Sequence, residues 1–417
     1  LEGRLPQARV HRYPHASHLL PEDVDIASPI IEWLGDLDAD SAESPDRQVR
    51  PHIWDGIDRR RNDPETAVVE MDGAEISRAI SFSELADEVS RTARGLSASG
   101  VRKGDRVSLL VPPGIDLTIC LYACWKIGAV VVITDAGLGA RGMTRALKSA
   151  APDYLIGINR AIVAARSMRW PGKRISVDPV GRGRRGTLGV WASLDEIKER
   201  GTDTAPPEVP GADDAALVVF TSGATGPAKG VAYRHHQAQA NRDALAAVYD
   251  IGRDDRLVAA FGPFALYGPA LGITSVVPDM EVTSPGTLTA TALVGAVNAV
   301  DATMVFASPA ALKNIVATAD ELTPAQRSSL GGVRRVMSAG APVPTDLLRL
   351  VASMVPNADL HTPYGMTEVL PVADITLSEI AEVGWGNGVC VGYPVSGVEV
   401  AISALDEHGV ATGELAT

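Results

Sequence analysis

AALVVFTSGATGPAKGV, residues 215–231, runs a short apolar strand straight into a loop of glycine, threonine and serine that closes on a lysine. Such a loop suits a phosphate. Glycines let the backbone turn its N–H groups inward, the hydroxyls of Thr221, Ser222 and Thr225 add donors, and Lys229 adds a point charge. Gly223, Ala224 and Gly226 complete the candidate cradle. A Walker A loop is excluded, because that motif needs G-x-x-x-x-G-K-S/T, whereas Ala228 precedes Lys229 and Gly230 follows it. An ordinary surface turn uses the same residue types, so the loop needs a second segment beside it to count as a site.

That second segment is LHTPYGMTEVL, residues 360–370. Together the two resemble the adenylate-forming family of acyl-CoA synthetases, luciferases and nonribosomal adenylation domains. The family's loop reads S/T-S/T-G-S/T-S/T-G-x-P-K-G, and this chain departs from it at Ala224 and Ala228. Ala224 removes one donor and leaves the rest of the loop. A third piece, VRRVMSAGAPVP at 333–344, resembles the family's S-G-A/G-A/E-P segment that lies against adenine. Small residues make sense there, since a flat base can approach backbone only where side chains are small. Alone, this piece reads as a plain strand-to-helix turn. In order and spacing with the other two it completes a pattern that spans about 150 residues.

The resemblance implies an α/β fold, namely the family's large amino-terminal domain: two mixed or parallel sheets covered by helices, with a smaller antiparallel subdomain. It also implies ATP and Mg2+ as cofactors. A carboxylate attacks the α-phosphate of ATP and pyrophosphate leaves, so catalysis rests on positioning and preorganised positive charge. By resemblance, the Thr221 to Lys229 loop holds the β- and γ-phosphates and Thr367 the α-phosphate. Glu368, with Thr221, ligates magnesium, which prefers hard oxygen ligands. Tyr364 stacks on adenine against Gly340, Ala341 and Pro342, with Gly365 and Met366 beside it. Taken singly, Tyr364 reads as a core aromatic and Glu368 as a helix-start carboxylate; their adjacency in P-Y-G-M-T-E favours the site.

The acid is read from AAFGPFALYGPALG, residues 259–272, which lacks the family's common histidine and offers an apolar wall with Phe264 and Tyr267, joined by Met366 and Leu370. A long-chain substrate is expected. This segment, TPYGMTEVLPV and the amino-terminal tail together resemble the family's β-lactone synthetases of long-chain olefin biosynthesis. In those, a 2-alkyl-3-hydroxy fatty acid is adenylated and its own hydroxyl displaces AMP. A fatty acyl-CoA ligase and a nucleotide-binding module without turnover are the alternatives.

Length and composition, 417 residues with 46% hydrophobic and 21% charged, suit a globular enzyme of two to three domains. A net charge of −13 argues against a nucleic-acid binder. Two basic spots, 59–61 and 182–185 within GRGRRG, read as solvated surface, the second as a glycine-interrupted loop. Cys120, Cys124 and Cys390 form no disulfide framework and have no metal-ligand company, so a reducing, cytoplasmic compartment is expected. No secretory signal or transmembrane run is visible: the most apolar window, 117–133, holds Lys126 and Gly128 and reads as a helix followed by a buried strand.

Val/Ile/Leu runs place strands at 66–71, 106–111, 129–134, 153–158, 174–177, 216–220, 256–261, 303–307 and 334–338. Residues 397–415 change to a strand-and-turn rhythm that suggests antiparallel pairing, and proline-rich 202–214 reads as a loop. Gly137, Gly139 and Gly142 satisfy G-x-G-x-x-G after a strand, yet no acidic residue ends the next strand, so a dinucleotide site is rejected. Residues 8–34 resemble the catalytic-histidine end of an α/β-hydrolase, with His18 matching the general base, although no G-x-S-x-G elbow exists in the chain. The expected division is therefore a hydrolase remnant and linker over 1–44 and an adenylate-forming domain over 45–417. Family members continue into a small mobile domain, so this piece is expected to be inactive or weakly active alone. A fused hydrolase and thiolase-like pathway enzymes are its expected partners.

Overall fold

The computed structural model describes residues 52–134, 136–221, 229–383, 389–406 and 411–415. Contacts divide the chain into two compact units, Pro51–Ser396 and a second that includes Gly397–Thr417. The larger unit carries, in chain order, β1 (Thr66–Asp72), β2 (Glu75–Ser81), β3 (Arg106–Leu110), β4 (Val130–Thr134), β5 (Tyr154–Gly157), β6 (Lys173–Ser176), β7 (Val190–Ser193), β8 (Ala215–Thr221) and β9 (Lys229–Arg234). It continues with β10 (Arg256–Ala260), β11 (Thr274–Val277), β12 (Met304–Ala307), β13 (Arg335–Met337), β14 (Asp359–His361), β15 (Tyr364–Met366), β16 (Val369–Asp374) and β17 (Tyr393–Pro394). The helices needed below are α1 (Phe82–Ala98), α2 (Ile115–Lys126), α3 (Gly139–Ala150), α4 (His235–Val248) and α5 (Ala290–Val300).

Two seven-stranded sheets organise this unit, in the orders β14-β13-β12-β10-β11-β1-β2 and β7-β6-β5-β3-β4-β8-β9. Within each, every neighbouring pair is parallel except the last, where β1–β2 and β8–β9 are antiparallel edge hairpins. Parallel strands are covered on both faces, which is why these read as continuous apolar runs. Helix α2 touches β1 of one sheet and β3 and β4 of the other. It is apolar all round, with Ile115, Ile119, Cys120, Leu121, Tyr122 and Cys124 buried, as a helix sandwiched between sheets must be. Its first N–H, that of Ile115, donates to the Glu70 carboxylate at 2.7 Å. Helix α1 starts at a capping box in which the Ser81 hydroxyl accepts from Glu84 N and the Glu84 carboxylate accepts from Ser81 N. It buries Phe82, Leu85, Val89 and Leu96, each side chain adding about 2 kcal/mol of transfer free energy. Helix α3 covers β4 on the far side, and α5 packs on β10 and β11. A small third sheet, β15-β16-β17, is antiparallel. In the second unit, β18 (Ser403–Leu405) and β19 (Ala411–Leu415) pair antiparallel, as the rhythm of 397–415 suggested.

The nine expected strands all form, each within two residues of the expected ends. Residues 202–214 have no helix or strand, and the G-x-G-x-x-G stretch leads into α3 while the next strand ends at Gly157, with no acid for a ribose. One surface reading and one loop reading need correction. Arg60 is 8% exposed, stacks 3.8 Å over the Phe82 ring and donates to the Gly272 carbonyl and to Asp63 and Glu65, so it is a structural arginine. The GRGRRG stretch is not a loop: Arg182–Leu188 is a helix, with Arg185 donating to both Glu196 oxygens. Residues 1–44, and with them His18, lie outside the described residues. Among the described residues no helix is long and apolar enough to cross a membrane, and no three His, Cys, Asp or Glu side chains cluster to hold a metal.

Candidate active site

The phosphate-loop segment is built from β8, which lies between β4 and β9. Trp125 Nε1 on α2 donates to the Ala216 carbonyl at 3.0 Å and anchors the strand to the buried helix. Thr221 and Lys229 are the paired residues that flank the loop of the β8–β9 hairpin. Ser222, Gly223, Ala224, Thr225 and Gly226 lie between them, outside the described residues. Gly230 has a local reason: a Cβ there would stand 3.0 Å from the Phe220 ring and press on it across the hairpin.

The second segment follows β13. Gly340 has φ +94°, a backbone that other residues rarely adopt, and a Cβ on it would meet the Phe261 ring at 3.4 Å. Gly340, Ala341 and Pro342 are exposed, which leaves a small-residue shelf open to solvent. The shelf is tied to the third segment where Ser338 N donates to the His361 carbonyl at 3.0 Å.

The third segment is the β15–β16 hairpin, whose turn is Thr367-Glu368 and whose strands pair Tyr364 with Ala373 and Met366 with Val369. A Cβ on Gly365 would fall 2.6 Å from Leu370 Cδ1 and 3.1 Å from the Val369 carbonyl oxygen, so a larger residue there needs the Leu370 side chain to shift. The root of the hairpin is pinned by Thr362 N donating to the Ile375 carbonyl at 2.8 Å and by a contact of 2.6 Å between His361 Nδ1 and Asp374, whose other oxygen accepts from the Tyr249 hydroxyl. The tip is pinned by the Tyr233 hydroxyl, which donates to the Thr367 carbonyl. Tyr233 stands on β9, the strand that begins at Lys229, so this bond joins the phosphate-loop hairpin to the Y-G-M-T-E segment. All three segments thus meet at the β15–β16 hairpin, which carries Tyr364 43% exposed and Met366 45% exposed.

The Glu368 carboxylate is exposed and, among the described residues, enters no hydrogen bond or ion pair. An uncommitted carboxylate beside a hydroxyl residue and an exposed aromatic fits a hard divalent cation and a nucleotide base. The Tyr233 phenol is pushed up in pKa, first by burial and then by the Glu368 charge, which places that carboxylate in its neighbourhood. His235, at the start of α4, is 3% exposed with no partner on either ring nitrogen; burial lowers its pKa to about 4, with the charges of His52 and Lys103 adding to the shift and Asp214 opposing it.

The expected acyl wall divides. Phe264 is 4% exposed and stacked on Phe306 at 3.5 Å, in an apolar cluster against which Tyr267 and Leu370 pack, while Met366 faces outward. Phe261 and Tyr233 escaped the sequence reading. The one signal for Tyr233 was a polar hydroxyl inside the strand after the lysine.

A family profile described as AMP-binding enzyme matches residues 58–416. An olefin beta-lactone synthetase of Xanthomonas campestris pv. campestris is 36% identical over 336 residues, 79% of this chain and 59% of that protein. A feruloyl-CoA synthase of Amycolatopsis is 30% identical over 328 residues, 76% of this chain and 59% of that protein. The chain therefore spans less than two thirds of the length of these relatives. The fold matches that of the N-terminal domain of FACL13 from Mycobacterium tuberculosis with a TM-score of 0.68, 22% identity, and coverage of 87% of this chain and 86% of that one. With the phosphate-loop hairpin, the Gly340 shelf and the Tyr364 hairpin joined as described and the profile spanning most of the chain, this protein belongs to the AMP-binding enzyme family.

Proposed function

We propose that this site, within the complete protein, activates a long-chain carboxylic acid as its acyl-adenylate, and that a 2-alkyl-3-hydroxy acid is then closed to a β-lactone. The observation that carries the reading is the joining of the three segments through the bonds from Tyr233 to Thr367 and from Ser338 to His361. Thr221 to Lys229 hold the β- and γ-phosphates of ATP, Thr367 meets the α-phosphate, and Tyr364 covers adenine against Gly340, Ala341 and Pro342. Glu368, with Thr221, would hold Mg2+, which supplies charge neutralisation on the phosphates when bound. The carboxylate oxygen bonds to the α-phosphorus and pyrophosphate leaves. The 3-hydroxyl then attacks the acyl carbon, loses its proton and expels AMP, an intramolecular step helped by proximity and opposed by ring strain. Phe264, Tyr267, Met366 and Leu370 wall the acyl chain.

The 36% relative supports lactone closure; the 30% relative favours a second reading, a CoA ligase in which the thiol displaces AMP. Incubating the intact protein with ATP, Mg2+ and a 2-alkyl-3-hydroxy acid, with and without coenzyme A, separates the two. Lactone without coenzyme A is expected; a thioester formed only with it overturns the lactone step, and absence of pyrophosphate release leaves a nucleotide-binding module. The three free cysteines support a reducing, cytoplasmic setting. Residues 45–417 form the adenylating domain in this reading, and residues 1–44 the end of a fused hydrolase, with a thiolase-like enzyme supplying the acid. A gene without an upstream G-x-S-x-G removes the fusion.

A further inference from the structure

We propose that Tyr233 is a positioning residue that holds the Thr367-Glu368 turn in place for the nucleotide and its metal, a role that rests on the adenylation reading. The β15–β16 hairpin is fastened at its root, by the bonds at Thr362, His361 and Asp374, and its outer end is exposed at Met366, Glu368 and Val369. Among the described residues, the Tyr233 hydroxyl is the side chain that hydrogen-bonds the backbone of the turn. Tyr233 itself cannot move freely. It is 9% exposed within the β8–β9 ribbon, in register with Leu217, and its oxygen accepts from Asn241 Nδ2 on α4 at 3.5 Å. A relay of two side chains, Asn241 on α4 and Tyr233 on β9, thus ends on the carbonyl of the residue preceding Glu368. A phenylalanine would fill the same space and bury the same ring, so the hydroxyl's contribution is the fixed position of the turn and not the packing.

The intact Tyr233→Phe protein tests this beside its parent. In the variant, amide exchange in the peptide over 364–370 should speed about ten-fold, as expected for one lost hydrogen bond. The Mg2+ concentration at half-maximal pyrophosphate release should rise about five-fold and kcat fall about ten-fold, while KM for the acid stays unchanged. A purely structural role would instead lower thermal stability and leave the Mg2+ requirement alone. Asn241→Ala, which keeps the phenol and frees it, should move exchange and Mg2+ requirement the same way by less. Parent-like exchange and Mg2+ dependence in Tyr233→Phe overturn the proposal, as they do in Asn241→Ala should the first variant not fold. A parent that neither releases pyrophosphate nor is stabilised by Mg-ATP sinks the adenylation reading instead, and the exchange comparison still decides whether Tyr233 holds the turn.

Discussion

The two seven-stranded sheets each finish in an antiparallel hairpin at the same edge position, yet the hairpins are built for different ends. Between β1 and β2 the turn is Gly73-Ala74, with Gly73 at φ +59° and its N–H donating to Asp279. Helix α5 sits on that turn: a Cβ on Gly295 would stand 2.6 Å from Ala74 Cα. The chain leaves β2 through the Ser81–Glu84 capping box. Between Thr221 and Lys229 the other hairpin has seven residues, SGATGPA. It leaves β9 into a helix that begins with buried, unpartnered His235. A short turn whose backbone finds partners within the fold can be packed under a helix. A long glycine-rich one suits a ligand that needs backbone N–H donors, and on our reading that ligand is a triphosphate.

Substitutions should separate the two hairpins. The largest effect is expected for Lys229→Ala, which removes the charge that our reading assigns to the phosphates: pyrophosphate release by the intact protein should fall about a hundredfold with little change in melting temperature. Parent-like release would erase the functional half of the comparison. Next is acid sensitivity. His235 titrates near 6.5 when unfolded and at about 4 when folded, so the unfolded state binds the extra proton between those values. Stability should be intact above pH 6.5 and fall by about 3 kcal/mol as pH drops to 4, seen as a declining melting temperature that His235→Phe flattens. Gly295→Ala should destabilise by about 2 kcal/mol through overpacking on Ala74, while the KM for ATP stays that of the parent. Smallest is Gly73→Ala, about 1 kcal/mol for the left-handed backbone, since a Cβ there meets nothing within 4 Å. A changed KM for ATP in either glycine variant would show that the β1–β2 hairpin is not purely structural.

The buried parallel strands were legible because burial on both faces writes itself as an apolar run: VVVIT and LVAA need no partner to be recognised. Strand β2, EISRAIS, was not, because it is mostly exposed and becomes a strand only by pairing with β1. For β15 and β17, with three and two residues, the same holds: pairing with β16 defines them. Arg60 looked like surface charge and is buried because Phe82, Asp63 and Gly272 surround it, two of them from other elements.

Local chemistry in the chain determined the family and the candidate residues Lys229, Gly340, Tyr364, Thr367 and Glu368, since each motif is a contiguous piece whose backbone demands and donors are set by its own residues. Only the tertiary structure decided that Tyr233 meets Thr367 across 134 positions of sequence, and that Phe264 stacks on Phe306 in the interior. Contacts of that kind arise from how sheets and hairpins pack, which leaves no periodic trace along the chain.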